Sequence, residues 1–383
     1  MTTTLWDKIP FKKIKIKAEN KFGKKISENI FLYSLSLMII IYALMCASFK
    51  SAGALISLID NIRYIAAFAV IIKIYFLSDY NLKQLALLSI LYVYIFTNSV
   101  VARDSTLFFT SVMIFGAKDV SYKKICKYVF ATTIICTLLI FILFFMGVLN
   151  DVLVPRGDDF RHSLGFAHPN NTGLWILCCA VSFQQYFSEK LKLWHYAVIP
   201  VIAVFMYVTA NSRAAFIALM LITLIMPFVK NIRLSPDKEK ILSNICISIV
   251  ILIYAAIFIM VIFYDETSAF QKMLDNLFSY RISLSHSAFE HYGLTLLGDS
   301  TPLLEGIYIL DCMQVRIAFS YGIITLLLTL AMFCYVQKKA IQHKHYYIAI
   351  MGLILLVYGL METFPYNFAF NVTLLAVGAK LNE

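Results

Sequence analysis

Long apolar runs, broken by short polar stretches, occupy almost the whole chain. A run of about 20 apolar residues is long enough for a helix to cross the hydrocarbon core of a bilayer. The pattern predicts about twelve membrane-spanning helices, roughly at 29–48, 54–77, 82–100, 104–117, 125–149, 169–187, 193–210, 212–229, 243–264, 313–336, 345–361 and 365–380. The fourth and the last are short for a span. The first run is too long for a cleaved signal peptide, lacks a small-residue cleavage site, and is followed by further spans. The fold class expected is an all-α polytopic integral membrane protein. Residues 29–383 form a single transmembrane domain behind a basic cytoplasmic tail, 1–28. Two connections are not minimal, about 150–168 and 265–312. Loops this long are ordinarily functional or disordered, and the aromatic and apolar content of the second predicts that it packs.

Composition supports the pattern. The chain is 61% hydrophobic and only 14% charged over 383 residues. A soluble domain is about one quarter charged, so a soluble globular protein, a disordered chain and an ordinary nucleic-acid binder are all excluded. The net charge of +11 suits an anionic partner, but its distribution matters more than its sum. With the N-terminus placed inside, 24 of the 33 Lys and Arg fall in inner segments. That bias predicts an N-in, C-in topology. The tail interleaves its Lys with Trp6, Ile9, Phe11, Ile14, Ile16, Phe22 and Ile26. It reads either as an amphipathic segment on the cytoplasmic leaflet or as a disordered basic tail.

The two cation types separate. Of eight Arg, only Arg233 lies inside; the others lie outside or within a span. Inner Lys is explained by topology and anionic lipid. Outer Arg runs against the bias, and its planar fork matches phosphate. The outer set therefore points to a phosphate or other anion at the outer leaflet, while ordinary loop Arg paired with Asp is the plainer reading. The eight Cys lie mostly in spans and form no metal or disulfide framework. No nucleotide-binding glycine loop, Walker sequence or HExxH is present.

Five constellations carry candidate chemistry. Arg161 to Gly173 abuts the outer end of the sixth span, where Asn170, Asn171 or Thr172 would cap a helix that Pro169 enters. A helix N-terminus also attracts anions, so the same stretch, with Arg161 and His168, could hold a phosphate. Thr209 to Arg213 forms an outer hairpin, and a charge there is costly unless paired or hydrated. Arg281 lies in the long loop with His286, Glu290 and His291. Asp311 stands near Tyr308, with Arg316 one turn into the next span as a possible partner. Glu362 to Asn367 marks the last outer turn.

At these residues the chain resembles the O-antigen polymerase and ligase superfamily, in particular the Wzy-type polymerases of capsular and exopolysaccharide loci in Gram-positive bacteria. The resemblance rests on Arg161 followed by Gly165-Phe166-Ala167-His168-Pro169-Asn170-Asn171-Thr172-Gly173, and on Ser212-Arg213 and Arg281. It rests further on Leu296-Leu297-Gly298, on Asp311 before Tyr321 to Ile324, and on Glu362 followed by Asn367. It covers residues 161–371 and leaves the N-terminal third unplaced. Family members often carry Asp-Asn where this chain has Asp311-Cys312.

The resemblance implies a GT-C-type glycosyltransferase in a bacterial plasma membrane, with its site on the extracytoplasmic face. Its substrates would be an undecaprenyl-diphosphate-linked oligosaccharide and the growing polysaccharide, and its surroundings the lipid bilayer. A chain-length regulator and a flippase of the same pathway would be its partners, with no nucleic acid, metal or other cofactor. The diphosphates would be held by Arg161, Arg213 and Arg281. The base for an inverting transfer would be His168, Glu290 or Asp311. Substrate contacts would come from Asn170, Tyr308 and Glu362, and Tyr280, Tyr292 and Tyr308 would stack on sugars or form an interfacial belt. A ligase of the same superfamily, passing finished glycan to another acceptor, shares these motifs. A flippase or transporter of lipid-linked oligosaccharide is the alternative from another class; the polar residues gather at one face, where a transporter would place them at midplane.

Overall fold

The computed structural model describes residues 21–49, 53–156, 159–188, 190–229, 232–301 and 308–382. Residues 1–20 of the expected tail, with Lys50, Lys230 and Glu305, lie outside the described residues.

Backbone in hydrocarbon must satisfy its own hydrogen bonds, so apolar runs fold as helices. The first eight expected runs do so: α1 (Lys21–Cys46), α2 (Gly53–Ile72, extended by a π turn to Leu77), α3 (Leu82–Ala102), α4 (Thr106–Gly116), α5 (Tyr122–Phe145), α6 (Pro169–Phe187), α7 (Leu193–Ala210) and α8 (Arg213–Val229). They are followed by α9 (Pro236–Ile262), and the long connection folds as α10 (Ala269–Leu277) and α11 (Arg281–Tyr292). Then come α12 (Met313–Ser320), α13 (Gly322–Gln342) and α14 (Tyr346–Tyr358). Among the described residues, six helices are long and apolar enough to cross a membrane: α1, α3, α5, α7, α9 and α13. Most of these expose large apolar side chains, such as Leu87, Ile90 and Val93 on α3 and Val201, Phe205 and Val208 on α7. Apolar faces of this extent need an apolar environment. The molecule is an all-α membrane protein, with a minor exception: the 150–168 connection contains an antiparallel hairpin, β1 (Leu153–Arg156) with β2 (Asp159–His162).

Shorter helices fill the centre. Most side chains of α4 and α14 are buried, and α6 buries Trp175, Leu177, Cys178 and Val181. The eight cysteines are free thiols lying mostly within helices.

Two expectations are corrected. The expected span 313–336 is broken at Tyr321–Gly322, where Gly322 has φ +86°. A Cβ at Gly322 would sit 2.3 Å from the Leu296 carbonyl, so only glycine lets the loop segment approach. The break exposes backbone groups that this segment satisfies: Ile323 N–H donates to Thr295 O (3.0 Å) and Asp299 N–H donates to Phe319 O (2.7 Å). The Leu-Leu-Gly and Tyr-Gly-Ile-Ile motifs thus form one joint.

The segment 365–380 is not an α-helix. It runs through short 3-10 turns, Phe364–Tyr366 and Val372–Val377. Asn side chains bond locally in place of helical partners, which competes with helix. Asn371 Nδ2 donates to Pro365 O at 2.8 Å, and its Oδ1 accepts from Thr373 N–H and Oγ1. Irregular backbone at membrane depth is tolerated where protein surrounds it. Here residues 365–376 are buried, and Lys339 Nζ caps the Val377 and Ala379 carbonyls at 2.9 and 2.8 Å.

Inter-helix segments gather at two opposite ends. At one, Lys73 Nζ donates to the Gly116 and Lys118 carbonyls (both 2.6 Å), and Lys124 pairs with Glu28 at 2.8 Å. At the other, the arginines collect.

Candidate functional site

The arginine end is built by the hairpin, the start of α6, the α7–α8 turn, the start of α11, the residues before α12 and the turn after α14. The hairpin is held by Asp151. Its carboxylate accepts from His162 Nδ1 (2.6 Å) and from the Ser163 and Leu164 N–H groups (2.8 and 3.1 Å). These donors offset burial and hold the Asp151 carboxyl below its usual value. The hairpin then lays two arginines over the open C-terminus of α7. Arg161 Nε donates to Ala210 O at 3.0 Å, and Arg156 donates to Asn211 O at 2.9 Å. A helix C-terminus presents unpaired carbonyls, so cations are favoured there.

His168 caps α6: its Nδ1 accepts from Asn170 N–H at 3.1 Å. The expected caps Asn170, Asn171 and Thr172 are not used this way, which frees the Asn170 amide. Its Oδ1 accepts from Arg161, and its Nδ2 donates to Glu362 Oε1 at 2.9 Å. Glu362 is 6% exposed and also meets Arg281 at 3.4 Å. Arg281 reaches on to Asp311 at 3.2 Å, whose side chain is 37% exposed. The result is a continuous line: Arg161, Asn170, Glu362, Arg281, Asp311. Arg213, at the first position of α8, is exposed and enters no ion pair among the described residues.

Gly173 explains how Arg213 comes close. A Cβ there would lie 2.5 Å from Ser212 Oγ, so glycine allows α6 and the start of α8 to touch. The His-Pro-Asn and Ser-Arg motifs meet at that contact.

The electrostatics follow. Burial, then Arg156, Arg281 and Arg213, push the Arg161 guanidinium down to about 10, with Glu362 opposing. Burial and the neighbouring Arg213 and Arg281 lower Arg156 as well. Burial pushes the Glu362 carboxyl up to about 8, and Arg281 pulls against it. Burial and Arg161 lower His168, with Asp311 opposing, so its imidazole is neutral at pH 7. With Nδ1 accepting a helix N–H, the proton of the neutral ring sits on Nε2. That nitrogen is a donor, which suits a phosphate oxygen better than a hydroxyl proton.

Of the expected residues, Arg161, His168, Asn170, Arg213, Arg281, Asp311 and Glu362 come together. Glu290 does not. It is exposed near the far end of α11, nine residues and roughly 13 Å of helix from Arg281. Tyr308 packs edge-on to Tyr292 at 5.9 Å, in a small apolar cluster under α9 and α11. Tyr280 is exposed at 61%. His286 is tied to Val261 O at 2.8 Å. The expected Asp311–Arg316 partnership is replaced: Arg316 lies 3.9 Å from Asp104, which also accepts from Tyr366 at 3.1 Å. Cys312 keeps a polar contact, Sγ donating to Gln314 Oε1 at 3.2 Å. Arg156 is the residue that sequence reasoning left out of the site, although its outer Arg was a signal of the same kind as Arg161.

Four guanidinium groups against two carboxyls leave an excess of at least two positive charges. Such an arrangement can bind a dianion, stabilise charge developing on it, and offer one partly exposed carboxylate, Asp311, as a proton acceptor. No protein-family model matches the chain, and no curated protein sequence or solved structure matches it.

Proposed function

We propose that this protein is a polysaccharide polymerase of the outer leaflet of a bacterial plasma membrane, joining oligosaccharide repeats carried on undecaprenyl diphosphate. The observation that carries the reading is the arginine excess around Glu362 and Asp311, assembled from the motifs that resemble the Wzy-type polymerases. In this reading the lysine end is cytoplasmic, both termini are inside, and the chain crosses twelve times. The last crossing is the irregular segment after Glu362.

The reaction is an inverting glycosyl transfer. An acceptor hydroxyl oxygen attacks the anomeric carbon of the donor and forms the new glycosidic bond. The bond from that carbon to the diphosphate oxygen breaks, and its electron pair leaves on the diphosphate. Arg156, Arg161, Arg213 and Arg281 stabilise the charge that develops there, an effect strongest in the transition state. His168 Nε2–H adds a neutral donor. Asp311 accepts the hydroxyl proton, held in place by Arg281. Asn170 and Glu362 fix the spacing between Arg161 and Arg281.

The test is the length distribution of surface glycan in cells lacking the gene, restored with wild type or Arg213→Lys. The expected result is single lipid-linked repeats in the deletion, long chains with wild type, and mostly single repeats with Arg213→Lys. Long chains retained on the carrier would make the protein a ligase. Repeats trapped on the inner leaflet would make it a flippase and remove the site assignment.

A further inference from the structure

Asp275, in the last turn of α10, is a buried carboxylate that the chemistry above does not use. It is 2% exposed. Its Oδ1 accepts from the N–H groups of Ile282 and Ser283, both at 3.0 Å. Its Oδ2 accepts from the Tyr264 hydroxyl at 3.4 Å, just beyond the end of α9. Its backbone carbonyl accepts from Tyr280 N–H at 2.8 Å, which closes the turn between α10 and α11.

Helix α11 has no cap of its own. Tyr280, the residue before it, supplies no side-chain bond to the first turn. Tyr280 and Ser279 also stand at φ +63° and +56°, a region that residues with side chains disfavour. The first turn of a helix leaves its N–H groups unpaired. Asp275 takes two of them, from the second and third residues of α11. The first residue is Arg281. A cation at that position faces the positive end of the helix dipole, and the Asp275 carboxylate offsets the repulsion.

The placement of Arg281 leaves little margin. Its contacts with Asp311 and Glu362 are 3.2 and 3.4 Å, near the far limit of a hydrogen bond. A shift of about 1 Å at the start of α11 breaks both. The second turn is tied separately, through His286 to Val261 O at 2.8 Å. That tie holds the body of α11 but not its first residue.

We propose that Asp275 is the positioning residue for Arg281, holding the first turn of α11 so that the guanidinium spans Glu362 and Asp311. The inference rests on the polymerase reading, in which Arg281 orients the proton acceptor and helps to hold the diphosphate. Without the carboxylate, two N–H groups lose their acceptor and the strained turn relaxes. Arg281 then moves away from both of its partners.

The experiment uses the full chain in nanodiscs and measures both the affinity for inorganic diphosphate and the number of binding sites. Wild type is compared with Asp275→Ala, Asp275→Asn, Asp275→Glu, Arg281→Gln and Asp275→Ala combined with Arg281→Gln. Asp275→Ala is expected to weaken binding about tenfold with the number of sites unchanged. Asp275→Asn keeps an acceptor oxygen and should recover most of that loss, since Asn and Asp cap helices about equally well. Arg281→Gln should weaken binding to a similar degree, and the combined variant no further, because both changes remove one interaction. Asp275→Glu keeps the charge but displaces α11 by one methylene, so it should weaken binding even where the Ala variant does not fold. Additive losses in the combined variant overturn the inference. So do fewer sites of wild-type affinity in both Asp275→Ala and Asp275→Glu, which mark a role in folding only. Either result leaves the polymerase reading standing, whereas failure of wild type to bind diphosphate overturns that reading and the inference together.

Discussion

Asn170 donates to Glu362 across 2.9 Å, joining residues 192 positions apart. The same amide accepts from Arg161, so one neutral side chain stands between a buried cation and a buried carboxyl. Replacing it with an apolar side chain of similar size removes a hydrogen bond from each, leaving Arg161 its bond to Ala210 O and Glu362 its contact with Arg281. Asn170→Leu is expected to lower glycan polymerisation about a hundredfold at normal protein level, the scale of losing a hydrogen bond to a charged group at roughly 1.5–3 kcal/mol. Glycan length profiles with a membrane-fraction blot would check it, and wild-type chain lengths would take Asn170 out of the site.

Glu362 should make stability depend on pH. Its carboxyl is pushed from an ordinary 4.5 up to about 8, chiefly by burial, so the folded protein holds the proton more tightly than the unfolded chain. The stabilisation from this group is therefore full below about 4.5 and is lost as pH rises through about 8. Melting temperatures of the purified protein between pH 5 and pH 9 (about the range a detergent micelle tolerates) should fall with pH, and Glu362→Gln should flatten that fall. A slope equally steep in Glu362→Gln would assign the dependence to another group.

The contact of Gly173 with Ser212 should be a coupled pair. A Cβ at position 173 would stand 2.5 Å from Ser212 Oγ and 2.7 Å from its Cβ. Gly173→Ala is expected to cost about 1–3 kcal/mol through overpacking and to displace Arg213, lowering activity as well. Ser212→Gly added to Gly173→Ala should restore a large part of both. A double-mutant cycle on thermal stability and glycan length tests this, and additive losses would contradict it.

Lys339 should matter without touching the site. Its ammonium caps the carbonyls of Val377 and Ala379, where the irregular segment ends. Lys339→Met keeps the apolar stem and leaves two half-buried acceptors unpaired, at roughly 1–3 kcal/mol each. A lowered melting temperature with hydrogen exchange increased near residues 372–380 is expected. Uniform exchange across the chain would place the effect elsewhere.

Much of this molecule was legible in its sequence, but unevenly. Helices α1 to α9 follow their apolar runs because a bilayer forces any such run to bond to itself. The candidate arginines were legible because each sits where lysine dominates on the opposite side. The residues 365–380 were not, since their apolar content matches a span while Asn367 and Asn371 hold the backbone in turns. The capping role of His168 was missed because Asn and Thr are the commoner caps.

Local pattern alone determined which segments are apolar, where α1 to α9 form, and which residue types were available for an anion. Tertiary structure alone decided the partnerships. It brought Arg156 to the cluster, carried Glu290 away along its helix, and paired Asp311 with Arg281 and Arg316 with Asp104. The physical reason is range. Helical periodicity repeats within a few residues and is written in each segment, whereas a buried charge is satisfied by whichever group the packed helices place beside it.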